Sequence, residues 1–114
     1  MASITKVIPS GSTDGAPIKI GATATAGTLF HTAAASPALD EVYLYLTNTD
    51  TVDRKVTIEF GGATAPDFNV VVVVPAQDTI LAIAGVPLTN AKTAKAFAAA
   101  ANVVNMFGYI NRIA

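Results

Sequence analysis

Apolar and polar residues alternate with a period of two along most of this chain, which is the pattern of half-buried β-strands. The clearest case is the segment 41–48, where Val42, Leu44 and Leu46 put aliphatic side chains on one face. Tyr43 and Tyr45 fall on the opposite face of the same segment. This segment is therefore predicted to be a strand with one face in the core.

A second alternating segment follows after a short polar stretch. In Arg54 to Phe60, Val56, Ile58 and Phe60 occupy alternate positions and are predicted to face inward. The intervening TDTVD sequence is typical of a turn, since Asp side chains bond local backbone. The two segments are predicted to form a β-hairpin.

Five consecutive valines occupy positions 70–74. Valine is stiff at χ1 and favours strands over helices, so the run predicts a strand buried on both faces. Val71 and Val73 are predicted to be core residues, whereas Val70 and Val72 are assigned to a subunit interface. An uncharged strand of this kind is prone to aggregate unless it is central in a sheet or covered by another subunit.

The remaining segments continue the β pattern between turn residues. Strands are predicted at 28–32, at 79–85, at 93–99 despite its many alanines, and at 103–113. Gly108, inside the last of them, indicates a bulge or a close approach of another backbone. Six to eight short strands at this spacing predict an all-β protein, an antiparallel β-sandwich or jelly roll.

The first 27 residues differ from the rest, because two short β-branched patches flank a loop rich in Pro, Ser, Gly and Asp. Residues 1–27 are interpreted as an extended N-terminal arm that contributes an edge strand, and residues 28–114 as the β-sandwich domain. Since the arm has little apolar content, we expect it to add little to its own core and to run across a neighbouring subunit.

The composition indicates a protein that works through its surface. The chain has 114 residues, the size of one domain, and 13% of them are charged, against about 25% in ordinary soluble domains. With so few charges to keep copies apart, much of the surface is expected to be covered by other subunits. Seven scattered basic residues do not form the cluster that nucleic-acid binding needs, and no segment has the roughly 20 apolar residues of a membrane span.

Residues suited to catalysis or metal binding are few. His31 is the single histidine and there is no cysteine, so a metal site lacks converging ligands, and His31 is interpreted as a strand residue with a polar contact. The four serines lie outside any nucleophile motif, and Asp50 and Asp53 flank a predicted turn. We therefore predict no catalytic residue, no metal and no cofactor.

Tyrosines offer the best candidate binding residues. Tyr43, Tyr45 and Tyr109 suit a protein contact on the outer side of a sheet, because tyrosine is enriched at interfaces. Ordinary packing between neighbouring strands is the alternative interpretation.

Three segments stand out by their order along the chain. They are ATAGTLFHTAA, then DEVYLYLTNTDTVDRKVTIEFGG, then the stretch from VVVPAQDTILAIAG to the final NMFGYINRI. In this order they resemble small virion proteins of tailed bacteriophages. The resemblance covers roughly residues 23–113, and it is specific for an architecture more than for a role. It implies no catalytic residue.

What the resemblance implies is a capsid decoration, or cement, protein on the virion surface. Such a protein would bind and stabilise the shell of the major capsid protein, as a homotrimer that matches threefold junctions. The alternatives are a neck, tail or head-fibre component, or a carbohydrate-binding β-sandwich that uses the tyrosine face.

Overall fold

The structure, a computed structural model, describes residues 3–114 and builds them from β-strands. No helix occurs in this range, and so none there is long and apolar enough to cross a membrane. The nine strands are β1 (Ile4–Val7), β2 (Ile18–Lys19), β3 (Thr28–Thr32), β4 (Leu39–Asn48), β5 (Arg54–Phe60), β6 (Asn69–Val74), β7 (Thr79–Thr89), β8 (Thr93–Ala98) and β9 (Val104–Ile113).

The strands form two antiparallel sheets that pack face to face. The first sheet has the order β1-β9-β4-β7, with β2 also paired to β9, and the second has the order β3-β8-β5-β6. Because β1 and β2 pair with different parts of β9, they act as one interrupted edge strand. If β1 and β2 are counted as one strand, each sheet has four strands, and the strand order of the two sheets is that of a jelly roll. The predicted all-β sandwich is confirmed.

The core lies between the two sheets and is mainly aliphatic. Each long strand contributes alternate side chains, as Val42, Leu44 and Leu46 of β4 do, all fully buried. Phe30 of β3 is the largest of the fully buried side chains. The period of two in the sequence is therefore the period with which these strands face the core.

The predicted hairpin of β4 and β5 is wrong, although both strands are correct. β4 pairs with β7 and β9, whereas β5 pairs with β6 and β8. The link between them crosses from one sheet to the other, and the buried Asn48 holds it by donating from Nδ2 to the carbonyls of Val52 and Val74. Alternation shows which face of a strand is buried but not which strand lies beside it. Two consecutive strands that face each other across the core therefore have the same sequence pattern as two strands of a hairpin.

The predicted burial of the valine strand also needs correction. β6 is an edge strand, and Val71 and Val73 are 53% and 59% exposed. Val74 is fully buried and Val72 packs against the core, so these two face inward. Val70 is 37% exposed at the margin of the core.

A run of identical residues carries no alternation, and this explains the error. The register with β5 sets the inward face, because Val72 lies opposite Val56 and Val70 opposite Ile58. Val56 and Ile58 are fully buried as predicted, so their partners point the same way.

The alanine-rich segment is the strand β8, as predicted. Ala94, Ala96 and Ala98 are buried and alternate with outward residues such as Phe97. Small inward side chains suit a strand that lies between β3 and β5 in the middle of the sheet. Position in the fold outweighs the helix propensity of alanine here.

The N-terminal segment contributes an edge strand, as expected, and more core than expected. β1 pairs with β9 from Ile4 opposite Ile113, and Ile20, just beyond β2, is fully buried. The Ile20 backbone N–H donates to Val104 at 2.9 Å. The expectation that this segment adds little to its own core is therefore wrong, whereas its contact with a neighbouring subunit stays a prediction.

Candidate functional site: an aromatic sheet face

Stacked aromatic side chains mark the outer face of the first sheet. Tyr43 of β4 and Tyr109 of β9 are register partners, and their rings stack with centroids 4.5 Å apart and planes 11° from parallel. Successive strand residues point to opposite faces, so Tyr43 faces solvent because Val42 and Leu44 face the core. Cross-strand aromatic pairs of this kind stabilise a sheet.

A second pair lies next to the first along the same two strands. Tyr45 and Phe107 stack with centroids 5.1 Å apart. Leu81 of β7 is the register partner of Tyr45 on its other side and is 45% exposed. We call Tyr43, Tyr45, Leu81, Phe107 and Tyr109 the aromatic face.

Two neighbours fix the position of the tyrosine pair. Lys6 of β1 places Nζ 4.7 Å from the centre of the Tyr109 ring, a cation–π contact. On the other side, a Cβ added to Gly85 would lie 2.8 Å from the Tyr43 hydroxyl oxygen. Gly85 has a φ of +72°, which glycine adopts at no steric cost. Any residue other than glycine at position 85 would therefore displace the Tyr43 hydroxyl.

The five residues predicted for an interface separate into two groups. Tyr43, Tyr45 and Tyr109 lie together on the aromatic face, half-buried. Val70 and Val72 belong to the second sheet, on the side of β6 that faces the core. The outward valines of that strand are Val71 and Val73, the pair predicted to be buried.

His31 belongs to a buried polar cluster between the sheets. Its Nε2 lies 2.7 Å from Oδ2 of Asp40, and Arg112 reaches the same carboxylate with Nε 2.8 Å from Oδ1. The Ser10 backbone N–H donates to Nδ1 of His31 at 3.0 Å. Since Nδ1 accepts, the proton of the neutral ring is on Nε2 and is donated to Asp40. The predicted polar contact of His31 is thus confirmed.

The Asp40 carboxylate is held in its charged form. Burial alone raises its pKa, but hydrogen bonds from Arg112, His31 and the Ala34 backbone outweigh burial and lower the pKa to about 2. Asp40 and His31 are almost completely buried. The cluster therefore links β3 to β4 and β9 across the core.

The hydroxyl of Ser10 has another partner. Ser10 Oγ accepts from the Thr32 backbone N–H at 2.7 Å, while the backbone N–H of Ser10 contacts the histidine. The serine, histidine and aspartate thus lack the hydroxyl-to-imidazole bond of a nucleophilic triad. They fasten the N-terminal segment to β3.

A second buried carboxylate serves the same segment. Glu59 is 1% exposed and accepts hydrogen bonds from the Thr25 hydroxyl and from the Gly27 backbone N–H, the latter at 2.6 Å. Residues 25–27 therefore cover part of the outer face of the second sheet.

Other concave or polar sites are modest. A pocket of about 160 Å³ on the second sheet is lined by residues that include Lys55, Thr57 and Phe97. It is smaller than the roughly 300–1,000 Å³ of typical ligand pockets. Within residues 3–114, no group of three or more His, Asp and Glu side chains is close enough together to hold a metal ion.

Sequence reasoning missed Phe107 and the burial of Asp40. Phe107 lies two positions before Tyr109, so the period of two would have placed it on the same face. Asp40 lies two positions before Val42 and is in phase with the buried residues of β4. Glu59 gives no such signal, because it is on the outer face and only the fold brings residues 25–27 over it.

Comparisons with known proteins do not identify a family. The chain matches no protein-family model, no curated protein and no solved structure. The resemblance to phage virion proteins therefore stays an expectation from the sequence.

Proposed function

We propose that this chain is a non-enzymatic capsid decoration protein of a tailed bacteriophage, which binds the assembled shell of the major capsid protein through the aromatic face. The observation that carries the proposal is the paired stacking of Tyr43 with Tyr109 and of Tyr45 with Phe107 beside the exposed Leu81. Aromatic residues at the centre of a patch commonly dominate the binding energy of protein interfaces.

The rigidity of this face supports protein binding. Each ring already packs on a cross-strand partner, and two of them also contact Lys6 and Gly85. Side chains fixed before binding lose little conformational entropy when a partner covers them. A decoration protein bound in many copies would stabilise a shell by adding such contacts across the junctions of its subunits.

Two further observations agree with this role. Only 13% of the residues are charged, so an apolar partner surface meets few charges that must lose their hydration. The jelly-roll architecture is also one that viral capsid domains use.

A carbohydrate-binding module is the second candidate, because lectin domains share the architecture and the tyrosines offer hydroxyl groups. The stacking geometry favours protein contact instead. A sugar that stacks on an aromatic ring needs a free ring face, and the Tyr109 ring has Tyr43 on one side and the Lys6 ammonium within 4.7 Å.

The proposal is tested by cosedimentation of the purified chain with capsids of its phage that lack it, with isolated tails as the second arm. Binding to heads, and a higher melting temperature of the decorated heads, is the expected result. Tyr45→Ala should weaken binding about tenfold or more, whereas Tyr45→Phe, which keeps the stack on Phe107, should bind nearly as well as the native chain.

Other outcomes contradict the proposal in different ways. Binding to tails alone would favour the neck or tail alternative. Specific signals on a glycan array, together with no binding to heads, would favour the carbohydrate-binding module. Equal binding by Tyr45→Ala and the native chain would show that the aromatic face is not part of the interface with the capsid.

A further inference from the structure

The open edge of β6 is uncharged over its whole length. Its sequence is NVVVVV, and the acidic residues nearest to it along the chain, Asp67 and Asp78, lie beyond its two ends. Exposed edge strands present unpaired backbone groups, and native proteins normally protect them with charges, prolines, bulges or cover. β6 has a long apolar run at such an edge.

The other sheet edges within residues 3–114 have this protection. β1 has four residues and includes Lys6, and β7 contains Pro87 and two register irregularities opposite β4. The edge of β3 is covered by the N-terminal segment, where the Gly11 N–H donates to Phe30 at 2.9 Å and Ser10 Oγ accepts from Thr32. Because the rest of the described fold protects its edges, the exposure of β6 requires an explanation.

The hydrogen bonds of the neighbouring strand show which groups of β6 are free. The Phe60 N–H donates to Phe68 at 2.9 Å, while Lys55 accepts on its other side from Ala99. The side of an antiparallel strand to which the backbone N–H and C=O groups point alternates from one residue to the next. The backbone groups of even-numbered residues of β6 therefore bond to β5, and those of odd-numbered residues point away from it. The N–H and C=O groups of Val71 and Val73 therefore lie along the open edge.

The valine run can pair with a copy of itself. A twofold axis at Val72 would place each Val71 opposite Val73 of the second copy and each Val70 opposite Val74. Each Val71 and Val73 would then exchange N–H to C=O bonds with its counterpart, which satisfies the edge-facing N–H and C=O groups of both valines in each copy. Every cross-strand pair along the run would be valine on valine, without a charged residue.

From this geometry we infer that two copies of the chain associate through antiparallel pairing of their β6 strands about a twofold axis at Val72. The second sheets of the two copies become one continuous eight-stranded sheet. The twofold pair replaces the trimer that the resemblance implies, because a ring closed through sheet edges needs two different free edges. The inference is independent of capsid binding, since it uses a different strand in a different sheet.

Sedimentation velocity of the native chain over a range of concentrations is the first test, and a dimer is expected. The double variant Val71→Lys/Val73→Lys places lysines directly opposite each other in the pair, so the dimer dissociation constant should rise about tenfold or more. Both side chains are exposed in a single copy, so the variant should keep its native circular dichroism. The control Ile8→Lys/Val86→Lys adds the same charge at exposed positions outside β6 and should remain dimeric.

A disulfide provides a test that does not depend on weakening the association of the two copies. The chain has no cysteine, and Val72→Cys would put one thiol from each copy at the axis. Residues opposite each other in a non-hydrogen-bonded pair have Cα atoms about 4.5 Å apart, which is within the range of a disulfide. Mild oxidation should link Val72→Cys into a covalent dimer and leave Val86→Cys monomeric under denaturing conditions.

Each remaining outcome overturns the inference. A native chain that stays monomeric at high concentration, or forms a trimer, has no β6 pair. A dimer that is insensitive to the two lysines, or that does not form the Val72→Cys crosslink, uses another surface.

Discussion

His31 and Asp40 join the two sheets of this protein through a hydrogen bond of 2.7 Å from Nε2 to Oδ2. The contact lies in the core, where an ionised carboxylate is costly unless every oxygen has a partner. Arg112 and the Ala34 backbone N–H provide the other partners. The cluster is therefore stable as a unit, and the removal of one member leaves the others without compensation.

Asp40→Asn should destabilise the protein by roughly 3 kcal/mol at neutral pH, because Arg112 and His31 lose a charged acceptor. It should also change the response to acid. The folded-state pKa of Asp40 is about 2, against an ordinary value of 3.8, so its stabilising effect is present above pH 3.8 and is lost as the pH falls towards 2. That effect amounts to about 2 kcal/mol.

Urea unfolding between pH 7 and pH 2 measures both parts of this prediction. The control is Asp50→Asn, which removes a carboxylate that pairs with Arg54 near the surface and should change stability little. The native chain should lose stability below pH 3.8 more steeply than Asp40→Asn. Parallel pH profiles for the two would show that the cluster does not govern acid stability.

Two valines of β6 provide a matched test of the register. Val74 is fully buried and Val73 is 59% exposed, and both belong to the same strand. Val74→Ala should cost roughly 1–3 kcal/mol through lost burial and a cavity, whereas Val73→Ala should stay within about 0.5 kcal/mol. Chemical denaturation, performed below the concentration at which copies associate, gives both values. A larger loss of stability in Val73→Ala than in Val74→Ala would mean that the opposite face of β6 faces the core.

The strand β6 also shows what the sequence pattern could not predict. Alternation located β4 and β5 and their inward residues. In both strands, aliphatic residues such as Val42 and Val56 alternate with tyrosine, threonine or charged residues. Alternation could not orient five identical valines, and it could not tell a strand pair within one sheet from a pair across the core. Those two facts depend on register and on long-range pairing, which the local pattern does not contain.

The candidate site divides in the same way. Tyr43 and Tyr45 were found because they alternate with aliphatic residues within one strand. That Tyr109 stacks on Tyr43, and that Lys6 covers Tyr109, follows from the antiparallel pairing of β9 with both β4 and β1. Only the fold brings these three strands together.

Isoleucines in the N-terminal segment test whether that segment belongs to its own core. Ile20 is fully buried and Ile4 is 71% exposed. Ile20→Ala should cost roughly 2–5 kcal/mol, and Ile4→Ala should cost less than about 0.5 kcal/mol. Equal, small effects measured by thermal unfolding would show that residues 3–27 detach from the domain in solution.

Gly108 allows the backbones of β4 and β9 to approach beneath the tyrosine pair. A Cβ at this position would lie 2.0 Å from the carbonyl oxygen of Tyr43, and the φ of Gly108 is +150°. Gly108→Ala must therefore push β9 away from β4 or distort both strands, at a cost of roughly 3 kcal/mol or more. Because Tyr109 is the next residue, the displacement should also separate its ring from Tyr43.

The loss of stacking gives this last prediction a readout besides stability. Near-ultraviolet circular dichroism reports the fixed environment of the tyrosines, and its tyrosine signal should fall in Gly108→Ala under conditions where the variant is still folded. Gly21→Ala is the control, since its nearest neighbour would be 3.6 Å away, and it should keep both the signal and the stability. If Gly108→Ala kept a native spectrum and native stability, the two strands would have to be farther apart than the structure places them, and the close approach that positions the aromatic face would be wrong.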